Sequence, residues 1–423
     1  MATIEETTKR GLCVSCGSCK AVCPTEAITY LFQDGIFVPS INKEKCINCS
    51  KCFEVCPGIE VNYTYLHKKY SDKIPSDFFK GNSIASYIVV TKNENILLNS
   101  SSGGFITSLI ESLLAKKEYD SAFLLKYDDF DGLPAFLERV TDHKKVKEYS
   151  KSKYIPANIE KAIKYILTNR RNKVIMVLVP CHVHALLKLI EKEKLNRDNY
   201  FIIGLFCDKT LNYNFYEYYH KKYGSFNRLD YRNKEKKGWP GDTKLYFNEK
   251  SKFVSRYERM FLKDYFQLNR CRFCIDKFNQ FADVSVGDCY IKGEEDFKGK
   301  SNIIIRTLKG KEIFESHKEI FNYKEIYSSQ IYKSQKVEAR MDNLDNCRLL
   351  DFNIYPNLAL KNESKVNNDL LVRKNKEFIS KNDLGKYLTD NNFKIISQRY
   401  KKTRITNYIK QIIKKLLFGG EKN

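Results

Sequence analysis

No uninterrupted apolar run of about 18 residues occurs in the sequence, so we expect no helix that crosses a membrane. The first residues lack the apolar stretch of a secretory signal peptide. No Gly-x-Gly-x-x-Gly motif and no P-loop is visible, which disfavours a nicotinamide cofactor and nucleotide hydrolysis. Together these absences predict a cytoplasmic protein in a reducing, anaerobic cell.

Charge is unbalanced, because 74 lysines and arginines face 51 aspartates and glutamates, a formal net charge of +23. The lysines are scattered along the whole chain, whereas a nucleic-acid binder concentrates its charge on one recognisable element. No helix-turn-helix, zinc-finger or RNA-binding motif appears, so we expect no nucleic-acid partner. A basic surface is well suited to acidic redox partners and anionic cofactors.

Two copies of one motif, Cys-x-x-Cys-x-x-Cys-x-x-x-Cys-Pro, contain eight of the 14 cysteines. The first copy comprises Cys13, Cys16, Cys19 and Cys23, and the second comprises Cys46, Cys49, Cys52 and Cys56. Both copies resemble the bacterial-type ferredoxin motif, in which the fourth cysteine of each run binds the other cluster. One [4Fe-4S] cluster is therefore expected on Cys13, Cys16, Cys19 and Cys56. The other is expected on Cys46, Cys49, Cys52 and Cys23.

Zinc and disulfide bonds are the alternatives for these eight cysteines. Zinc sites take four ligands in two pairs and do not need a triple run that ends in Cys-Pro. Disulfides need an oxidising compartment, which nothing in the sequence suggests. The doubled run therefore indicates iron–sulfur clusters and electron transfer.

The chain divides into four predicted parts, with a linker over 62–81. The parts are residues 1–62, 83–165, 170–332 and 333–423. The first is a 2[4Fe-4S] ferredoxin-type domain, and the last is a polar tail. We predict an α+β ferredoxin-like module followed by an α/β body.

Hydrophobic patterns predict the elements of that body. Strands are expected over 85–91, 121–127, 135–140, 174–179, 201–206, 282–286 and 303–308, and helices over 105–114, 184–193 and 215–223. The order strand 174–179, helix 184–193, strand 201–206 predicts a parallel pair of strands.

The final segment predicts a basic amphipathic helix. Its apolar face would carry Ile405, Ile409, Ile412, Ile413, Leu416 and Leu417, and its basic face Lys410, Lys414 and Lys415. Such a helix can make peripheral contact with an anionic membrane. It can equally dock on the body or on a protein partner, which is the commoner arrangement.

Four later cysteines have informative positions. Cys181 and Cys207 each end a buried strand, and Cys271 and Cys274 form a Cys-x-x-Cys motif. Functional groups gather at the carboxyl ends of parallel strands, so these thiols could converge on a third [4Fe-4S] cluster. The alternative is two buried thiols and a separate redox or zinc Cys-x-x-Cys.

Six motifs occur in one order along the body. They are Ser101-Ser102-Gly103-Gly104-Phe105, Ser152-Lys153-Tyr154, Pro180-Cys181, Gly204-Leu205-Phe206-Cys207, Cys271-x-x-Cys274 and Ala282-Asp283-Val284-Ser285-Val286-Gly287-Asp288. This series resembles the beta-subunit family of the coenzyme F420 (deazaflavin) hydrogenases and dehydrogenases, to which a ferredoxin module is commonly attached. The resemblance implies that 83–165 and 170–332 are the N-terminal-like and C-terminal-like domains of that family. It also implies an FAD-binding α/β body and a cluster held partly by the later cysteines.

The resemblance further implies a set of cofactor-binding residues. These are Ser102, Gly103, Gly104, Lys153, Asp283, Gly287 and Asp288. The glycines precede a helix whose free amides could meet an electron-rich ligand, and Lys153 is a candidate donor to the flavin or its pyrophosphate. A turn, a surface lysine and aspartate caps are the structural alternatives. The catalytic residues are unknown at this stage.

The sequence departs from the family pattern at two places. Leu178-Val179 stands where the family commonly has Gly-Thr, and His182 stands where it commonly has glutamine. For this reason deazaflavin specificity is not carried over. His182 is either a proton donor near a flavin or, more commonly for such a position, a structural histidine at a helix start.

The leading hypothesis is an iron–sulfur flavoprotein oxidoreductase. It would pass electrons from the ferredoxin-type clusters through a further cluster to FAD and an unidentified two-electron acceptor. The alternative is a non-catalytic electron-transfer adaptor subunit of a larger redox complex. The expected partner is a redox protein or a small-molecule electron acceptor.

Overall fold

The structure of the protein is a computed structural model that describes residues 4–71, 73–126, 134–356, 358 and 368–418. The described strands are β1 (Ile28–Gln33), β2 (Ile36–Ile41), β3 (Ala85–Thr91), β4 (Ser121–Leu125), β5 (Ala135–Val140), β6 (Ala157–Asn158), β7 (Val174–Leu178), β8 (Tyr200–Leu205), β9 (Arg228–Asn233), β10 (Asp242–Tyr246), β11 (Ser251–Val254), β12 (Val284–Asp288), β13 (Ser301–Ile305) and β14 (Phe321–Glu325).

The described helices follow the same chain order. They are α1 (Ile4–Lys9), α2 (Ser18–Ala21), α3 (Lys51–Glu54), α4 (Tyr63–Tyr70), α5 (Glu94–Asn99), α6 (Phe105–Ala115), α7 (Glu160–Thr168), α8 (Pro180–Lys192), α9 (Asn214–Tyr223), α10 (Arg256–Phe266), α11 (Leu308–His317), α12 (Ser328–Ser334), α13 (Arg340–Leu349), α14 (Asn368–Lys386) and α15 (Asp390–Phe418). Short 3₁₀ segments include His143–Tyr149 and Asn269–Phe273.

A nine-stranded mixed sheet forms the centre of the body, in the order β14-β3-β13-β12-β8-β7-β4-β5-β6. The inner strands β4, β7, β8 and β12 are parallel to one another, and β5 and β13 run antiparallel to their inner neighbours. The predicted parallel pair is confirmed, because Val174 to Leu178 of β7 align with Tyr200 to Gly204 of β8. The α/β prediction therefore holds for the body in the coarser form of a large mixed sheet.

Both faces of this sheet are covered, as the continuous apolar runs of β7 and β8 require. Met176 and Ile202 belong to one core cluster, with the apolar side chains of α7 and α8. Ile175 and Phe201, which alternate with them along the strands, belong to a second cluster with α6 and α11. A separate three-stranded antiparallel sheet, β11-β10-β9, packs in an aromatic cluster with α9 and α10.

Two predicted boundaries differ from the structure. Helix α8 begins at Pro180 rather than His184, because proline fits the first helical turn, where no backbone amide is needed. Cys181 therefore lies in the first turn of α8. The predicted linker over 62–81 is wrong for its first part, where α4 forms with Asn62 as its N-cap and with Tyr63 and His67 fully buried.

The ferredoxin-type module is bound to the body through hydrogen bonds from both cysteine runs and from β1. The amide of Ile159 donates to the carbonyl of Cys16 at 2.8 Å. The Tyr30 hydroxyl donates to Glu160 at the start of α7 at 2.5 Å, and Lys188 Nζ of α8 donates to the carbonyl of Cys56 at 2.7 Å. The cysteine loops are thus held against the two helices that cover the central sheet.

Part of the tail that was expected to be loose packs on the body. Asn382 of α14 donates to the carbonyl of Gln267 at 2.7 Å, and Leu371 and Ile396 are buried. Helix α15 forms as predicted, and its side chains from 401 to 410 are exposed. The side chains of Ile412, Ile413, Lys414, Lys415, Leu416 and Leu417 lie outside the described residues. Within the described chain, no helix has the length and apolar character needed to cross a membrane.

Candidate iron–sulfur and cofactor site

The cysteines of the doubled run surround two separate cavities. We name the first cysteine set Cys13, Cys16, Cys19 and Cys56, which line one cavity. We name the second cysteine set Cys23, Cys46, Cys49 and Cys52, which line the other. These groupings match the crossed pattern expected from the sequence. Among the described residues, no group of three or more His, Cys, Asp or Glu side chains could hold a single metal ion. Thiols placed around a cavity instead suit a cluster that brings its own iron and sulfide.

Local backbone conformation shapes both cysteine loops in the same way. Ser15 and Asn48 occupy equivalent positions in the two runs, and both have a left-handed backbone, with φ of 60° and 54°. Gly17 and Ser50 are likewise equivalent and left-handed. At Gly17 a Cβ atom would lie 2.3 Å from the Asn158 side chain of the body, so only glycine allows this contact.

Backbone amides point at the sulfur atoms within these loops. Ser15 N donates to Cys13 Sγ at 3.4 Å, Ala27 N to Cys23 Sγ at 3.3 Å, and Gly58 N to Cys56 Sγ at 3.4 Å. Such donors stabilise negative charge on sulfur and influence the potential of a bound cluster. The loops therefore provide hydrogen bonds to the ligands as well as the ligands themselves.

The two sets differ in exposure to solvent. Burial, and then the neighbouring Cys56 thiol, raises the pKa of Cys16 to about 11. Iron binding there must displace the thiol proton, because the thiolate is the ligand. In the second set Cys49 is exposed, and the adjacent Ile47 side chain is 62% exposed. The second set is therefore the one close to the surface.

The four later cysteines come together as a third cysteine set. Cys181 lies in the first turn of α8, Cys207 follows β8, and Cys271 and Cys274 lie in and just after the 3₁₀ segment Asn269–Phe273. Burial raises the pKa of Cys181, and the electrostatic effects of Cys207, Cys271 and Cys274 add to it. Arg270, the residue before Cys271, donates through Nε to the carbonyl of Gly58, two residues after Cys56, at 3.0 Å, which places the first set next to the third.

A cavity of about 360 Å³ opens beside the third set. Cys181, Cys207 and Cys271 form part of its wall, and Val14 of the ferredoxin-type module forms another part. The carboxyl ends of β7, β8 and β12 meet there, as expected for a ligand site of an α/β sheet. The cavity thus adjoins both the first and the third cysteine sets.

Positive charge dominates the charged lining of this cavity. The cations are Lys151, Lys153, Lys209, Arg232, Lys263 and Lys277, and the carboxylates are Asp208 and Asp288. The two Asp288 oxygens pair with Arg232, one of them at 2.9 Å from Nη2, and Lys277 pairs with Asp208 at 2.7 Å. The excess of cations favours an anionic ligand.

Five of the seven predicted cofactor residues line the cavity. They are Ser102, Gly104, Lys153, Gly287 and Asp288. Gly103 does not line the cavity. Its amide donates to Ser301 Oγ at 3.0 Å, and a Cβ atom on Gly103 would lie 2.4 Å from the carbonyl oxygen of Val89. This glycine is required by strand packing, not by ligand approach.

Asp283 also lies away from the cavity. Its carboxylate accepts from the amide of Ile202 at 2.8 Å, from Thr307 Oγ1 at 2.8 Å and from Arg197 Nη2 at 3.0 Å. These contacts connect β8, β12 and the start of α11 within the core. The structure therefore gives Asp283 a full set of structural partners at the opposite end of β12 from Asp288.

Lys153 sits in the cavity wall without a carboxylate partner among the described residues. Its Nζ donates to the carbonyls of Tyr149 and Ser150 at 2.6 and 2.7 Å. Burial lowers the pKa of Lys153 to about 7. An anionic ligand would favour its charged form.

A group of residues near Lys153 was not predicted from the sequence. Lys263 Nζ of α10 lies 4.5 Å from the centre of the Tyr154 ring. Burial would raise the pKa of Tyr154, but Lys263, Arg232 and Arg259 outweigh this and lower it. Arg259 is only 5% exposed, and its Nε and Nη1 have no hydrogen-bond partner in the described chain. This region carries more positive charge than the protein itself neutralises.

His182 lines the cavity and is buried. Burial lowers the pKa of His182 to about 4, so its imidazole is neutral near pH 7. The structural interpretation of this histidine at a helix start is consistent with its position in the first turn of α8.

Comparison with known protein families gives three matches along the chain. Residues 12–58 match the 4Fe-4S dicluster domain. Residues 87–164 match the coenzyme F420 hydrogenase/dehydrogenase beta subunit N-term model, and residues 171–328 match the corresponding C terminus model. The resemblance stated from the sequence motifs is thereby confirmed. So is the assignment of the N-terminal module to the 4Fe-4S class.

Individual relatives point to the same class. The coenzyme F420-dependent sulfite reductase of Methanocaldococcus jannaschii is 28% identical over 364 residues, which cover 80% of this chain and 52% of that protein. The F420-dependent formate dehydrogenase subunit beta of the same organism is 32% identical over 130 residues, 30% of this chain and 33% of that protein. The chain thus spans about half the length of the first relative and a third of the second. Their names mention coenzyme F420, and none mentions FAD.

One solved structure shares the fold. It is the F420-reducing [NiFe] hydrogenase complex from Methanosarcina barkeri, with a TM-score of 0.51 and 18% identity. The match covers 66% of this chain and 94% of that chain.

Crossed ligation can be tested with pairs of variants. Cys56→Ser should change the same EPR signals as Cys13→Ser, and Cys23→Ser the same signals as Cys49→Ser, because each pair lines one cavity. The measurement is the low-temperature EPR spectrum of reduced protein, with Cys289→Ser as the control outside all three sets. If Cys23→Ser instead matches Cys13→Ser, each run binds its own cluster.

The structural role of Asp283 gives a second prediction. Asp283→Asn should lower the free energy of unfolding by about 2–4 kcal/mol, because it leaves the Arg197 charge uncompensated. Cofactor binding by the folded protein should not change. Asp198→Asn, whose side chain is 84% exposed, is the matched control and should have little effect. Weaker cofactor binding without loss of stability would instead make Asp283 a cofactor residue.

Proposed function

We propose that this chain, a relative of the coenzyme F420 hydrogenase and dehydrogenase beta subunits, is an iron–sulfur flavoprotein oxidoreductase subunit. In this proposal it holds three [4Fe-4S] clusters and one FAD, and coenzyme F420 is its two-electron partner. One observation carries the proposal: a cavity rich in cations adjoins both the third cysteine set and the ferredoxin-type module that holds the first.

The three cysteine sets are the proposed ligands. Each set supplies four thiols, the number that a [4Fe-4S] cluster takes from a protein. When bound, such clusters exchange one electron at a time, whereas a flavin exchanges two, so the combination connects one-electron and two-electron chemistry. The chain's own residues hold the ligands close together and keep water away from the buried sets.

The positions of the three cysteine sets support a route for electrons between the protein surface and the cavity. Cys49 and Ile47 place the second set at the surface, where a redox protein partner can approach. The first set is more buried, and the backbone after its Cys56 accepts a hydrogen bond from Arg270, the neighbour of Cys271 in the third set. The third set borders the cavity. We propose that electrons travel along this order in either direction.

The cavity supports the binding of a phosphate-bearing cofactor. Lys153 and Lys263 lack carboxylate partners in the described chain, and Arg259 lies buried close by with two unbonded nitrogens. Buried cations without partners are costly and favour an anion that completes them. We assign the flavin pyrophosphate to this region, which extends the FAD expectation that the family resemblance raised.

The relatives of this chain support coenzyme F420 as the two-electron partner. Both curated relatives described above are named for dependence on it. The cavity also supports this proposal over a non-catalytic adaptor subunit, because an adaptor needs no cofactor cavity beside its last cluster. A redox protein partner is consistent with the hydrogenase complex that shares the fold.

Cofactor content tests the proposed function directly. Protein purified without oxygen should contain about twelve iron atoms and one flavin, four iron atoms for each cysteine set. Cys181→Ser should lower the iron content to about eight, and Cys289→Ser should leave it unchanged. About eight iron atoms and no flavin in the unaltered protein would contradict both the third cluster and the flavin.

The pKa of Lys153 makes flavin binding pH-dependent. Its pKa of about 7 lies below the ordinary value, so the side chain is charged below pH 7 and loses charge above it. An anionic cofactor should therefore bind more tightly at pH 6 than at pH 8.5, by about tenfold for one charged hydrogen bond.

Fluorescence titration of flavin-depleted protein measures this dependence. Lys153→Met should weaken binding at pH 6 and flatten the profile, because the titrating charge is gone. Lys147→Met, in the same 3₁₀ segment as Tyr149 but exposed, should keep the original profile. A Lys153→Met profile as steep as that of the unaltered protein would show that another group causes the pH dependence.

A further inference from the structure

Helix α13 begins directly beside the third cysteine set. Arg340, its first residue, donates through Nη2 to the carbonyls of Cys207 and of Asp208, the latter at 3.1 Å. Through Nη1 it donates to the carbonyl of Cys274 at 3.2 Å. Arg340 thus connects the segment that follows β8 to the Cys-x-x-Cys segment.

Asn343 makes a second connection from the same helix. Its Nδ2 donates to the carbonyl of Cys274 at 2.6 Å and to the carbonyl of Cys271 at 3.3 Å. Residues three apart lie on one face of a helix, so Arg340 and Asn343 form one polar face. That face contacts the backbone of three of the four cysteines in the third set.

This contact lies outside the part of the chain that matches the family models, since the C-terminal model ends at residue 328. Helix α13 belongs to the tail, which the sequence patterns predicted to be polar and loose. The Arg340 side chain is nevertheless only 6% exposed. Burying a charged arginine costs free energy, so its three carbonyl contacts at one cysteine set indicate a specific role there.

The charge of Arg340 is only partly neutralised. Asp208 lies 3.7 Å from Arg340 Nη2 and 2.7 Å from Lys277 Nζ, so one carboxylate faces two cations. Asp208 is also 61% exposed, and water therefore screens part of its charge. The guanidinium donates to the carbonyls of Cys207 and Cys274, so its charge lies against the two segments that carry these thiols.

We propose that Arg340 and Asn343 form a clamp on the third cysteine set, and that Arg340 raises the reduction potential of the cluster bound there. The proposal rests on the third cluster of the proposed function. Reduction adds one electron, with no bond made or broken, and so adds one negative charge to the site. A buried cation stabilises the reduced form more than the oxidised form. Arg340 is thus a positioning residue that also sets a potential.

Four single variants of the full-length protein, purified without oxygen, test the clamp. Arg340→Gln removes the charge and keeps an amide donor, whereas Arg340→Lys keeps the charge. Asn343→Ala removes hydrogen bonds only. Arg348→Gln is the matched control, because Arg348 lies on the same helix, pairs with Asp345 at 3.2 Å and is 46% exposed. The measurements are iron content and an EPR-monitored redox titration.

The expected result is a lower midpoint potential of the third cluster in Arg340→Gln and a potential near the original in Arg340→Lys. Asn343→Ala should reduce occupancy of the third cluster, with iron falling from about twelve toward eight atoms, from the four iron atoms per cluster. Arg348→Gln should change neither quantity. Should Arg340→Gln lose the cluster entirely, an intact cluster of near-original potential in Arg340→Lys would support the role of the charge.

Two results would overturn the clamp. The first is a midpoint potential of the third cluster that is the same in Arg340→Gln as in Arg348→Gln. The second is a shift of that potential that is equally large in Arg340→Gln and in Arg340→Lys. Both presuppose about twelve iron atoms in the unaltered protein, the content of three clusters. If the unaltered protein itself holds only eight, the third cluster and thus the proposed function fail first. The two failures are therefore distinguishable.

Discussion

Burying negatively charged sulfur is the constraint on which the rest of this structure depends. Thiolates that hold a cluster away from water need hydrogen bonds and nearby positive charge, or the site is not stable. The protein meets this need with cations fixed by carbonyls of the cysteine segments themselves. Lys188 donates to the carbonyl of Cys56, and Arg270 Nε donates to the carbonyl of Gly58 at 3.0 Å.

These contacts also explain why the parts of the chain pack as one unit around the clusters. Arg270 precedes Cys271 of the third set, yet its guanidinium reaches the backbone after Cys56 of the first set. Tyr355 from the tail donates to the carbonyl of Phe273 and accepts from the amide of Ile275. The ferredoxin-type module, the body and the tail thus share polar contacts at the point where two cysteine sets meet. The cavity lies beside that point, at the carboxyl ends of the inner strands.

Sequence reasoning was most successful where the signal is local. Strands β3 and β5 were predicted with their bounds. Strands β7 and β8 were predicted to within one residue, because their continuous apolar runs mark buried strands. The crossed cysteine groups followed instead from the resemblance of both runs to the ferredoxin motif. Helix α4 was missed because its tyrosines and lysines resemble a polar linker, although Tyr63 packs against His184 and Tyr355.

Contacts between distant segments could not be predicted in this way. Asp283 and Asp288 both flank β12, and the pattern alone does not tell which end of the strand faces the cavity. Arg232, Lys263 and Arg340 come from β9, α10 and α13, which no motif connects to the cysteines. The packing of β9 and α10 brings Arg232 and Lys263 to the cavity, and the packing of α13 brings Arg340 to the third set. Charge compensation of buried sites is therefore the part of the function that required the structure.

The central claim is that the first and third cysteine sets hold neighbouring clusters that connect the ferredoxin-type module to the cavity. The most direct measurement is the EPR spectrum of the fully reduced protein with its clusters intact. The account predicts magnetic interaction between the clusters of these two sets, with interaction features that disappear in Cys181→Ser, because Arg270 joins the segment of Cys271 to the backbone that follows Cys56. A spectrum that is the sum of independent clusters, and that Cys181→Ser leaves unchanged, would contradict it.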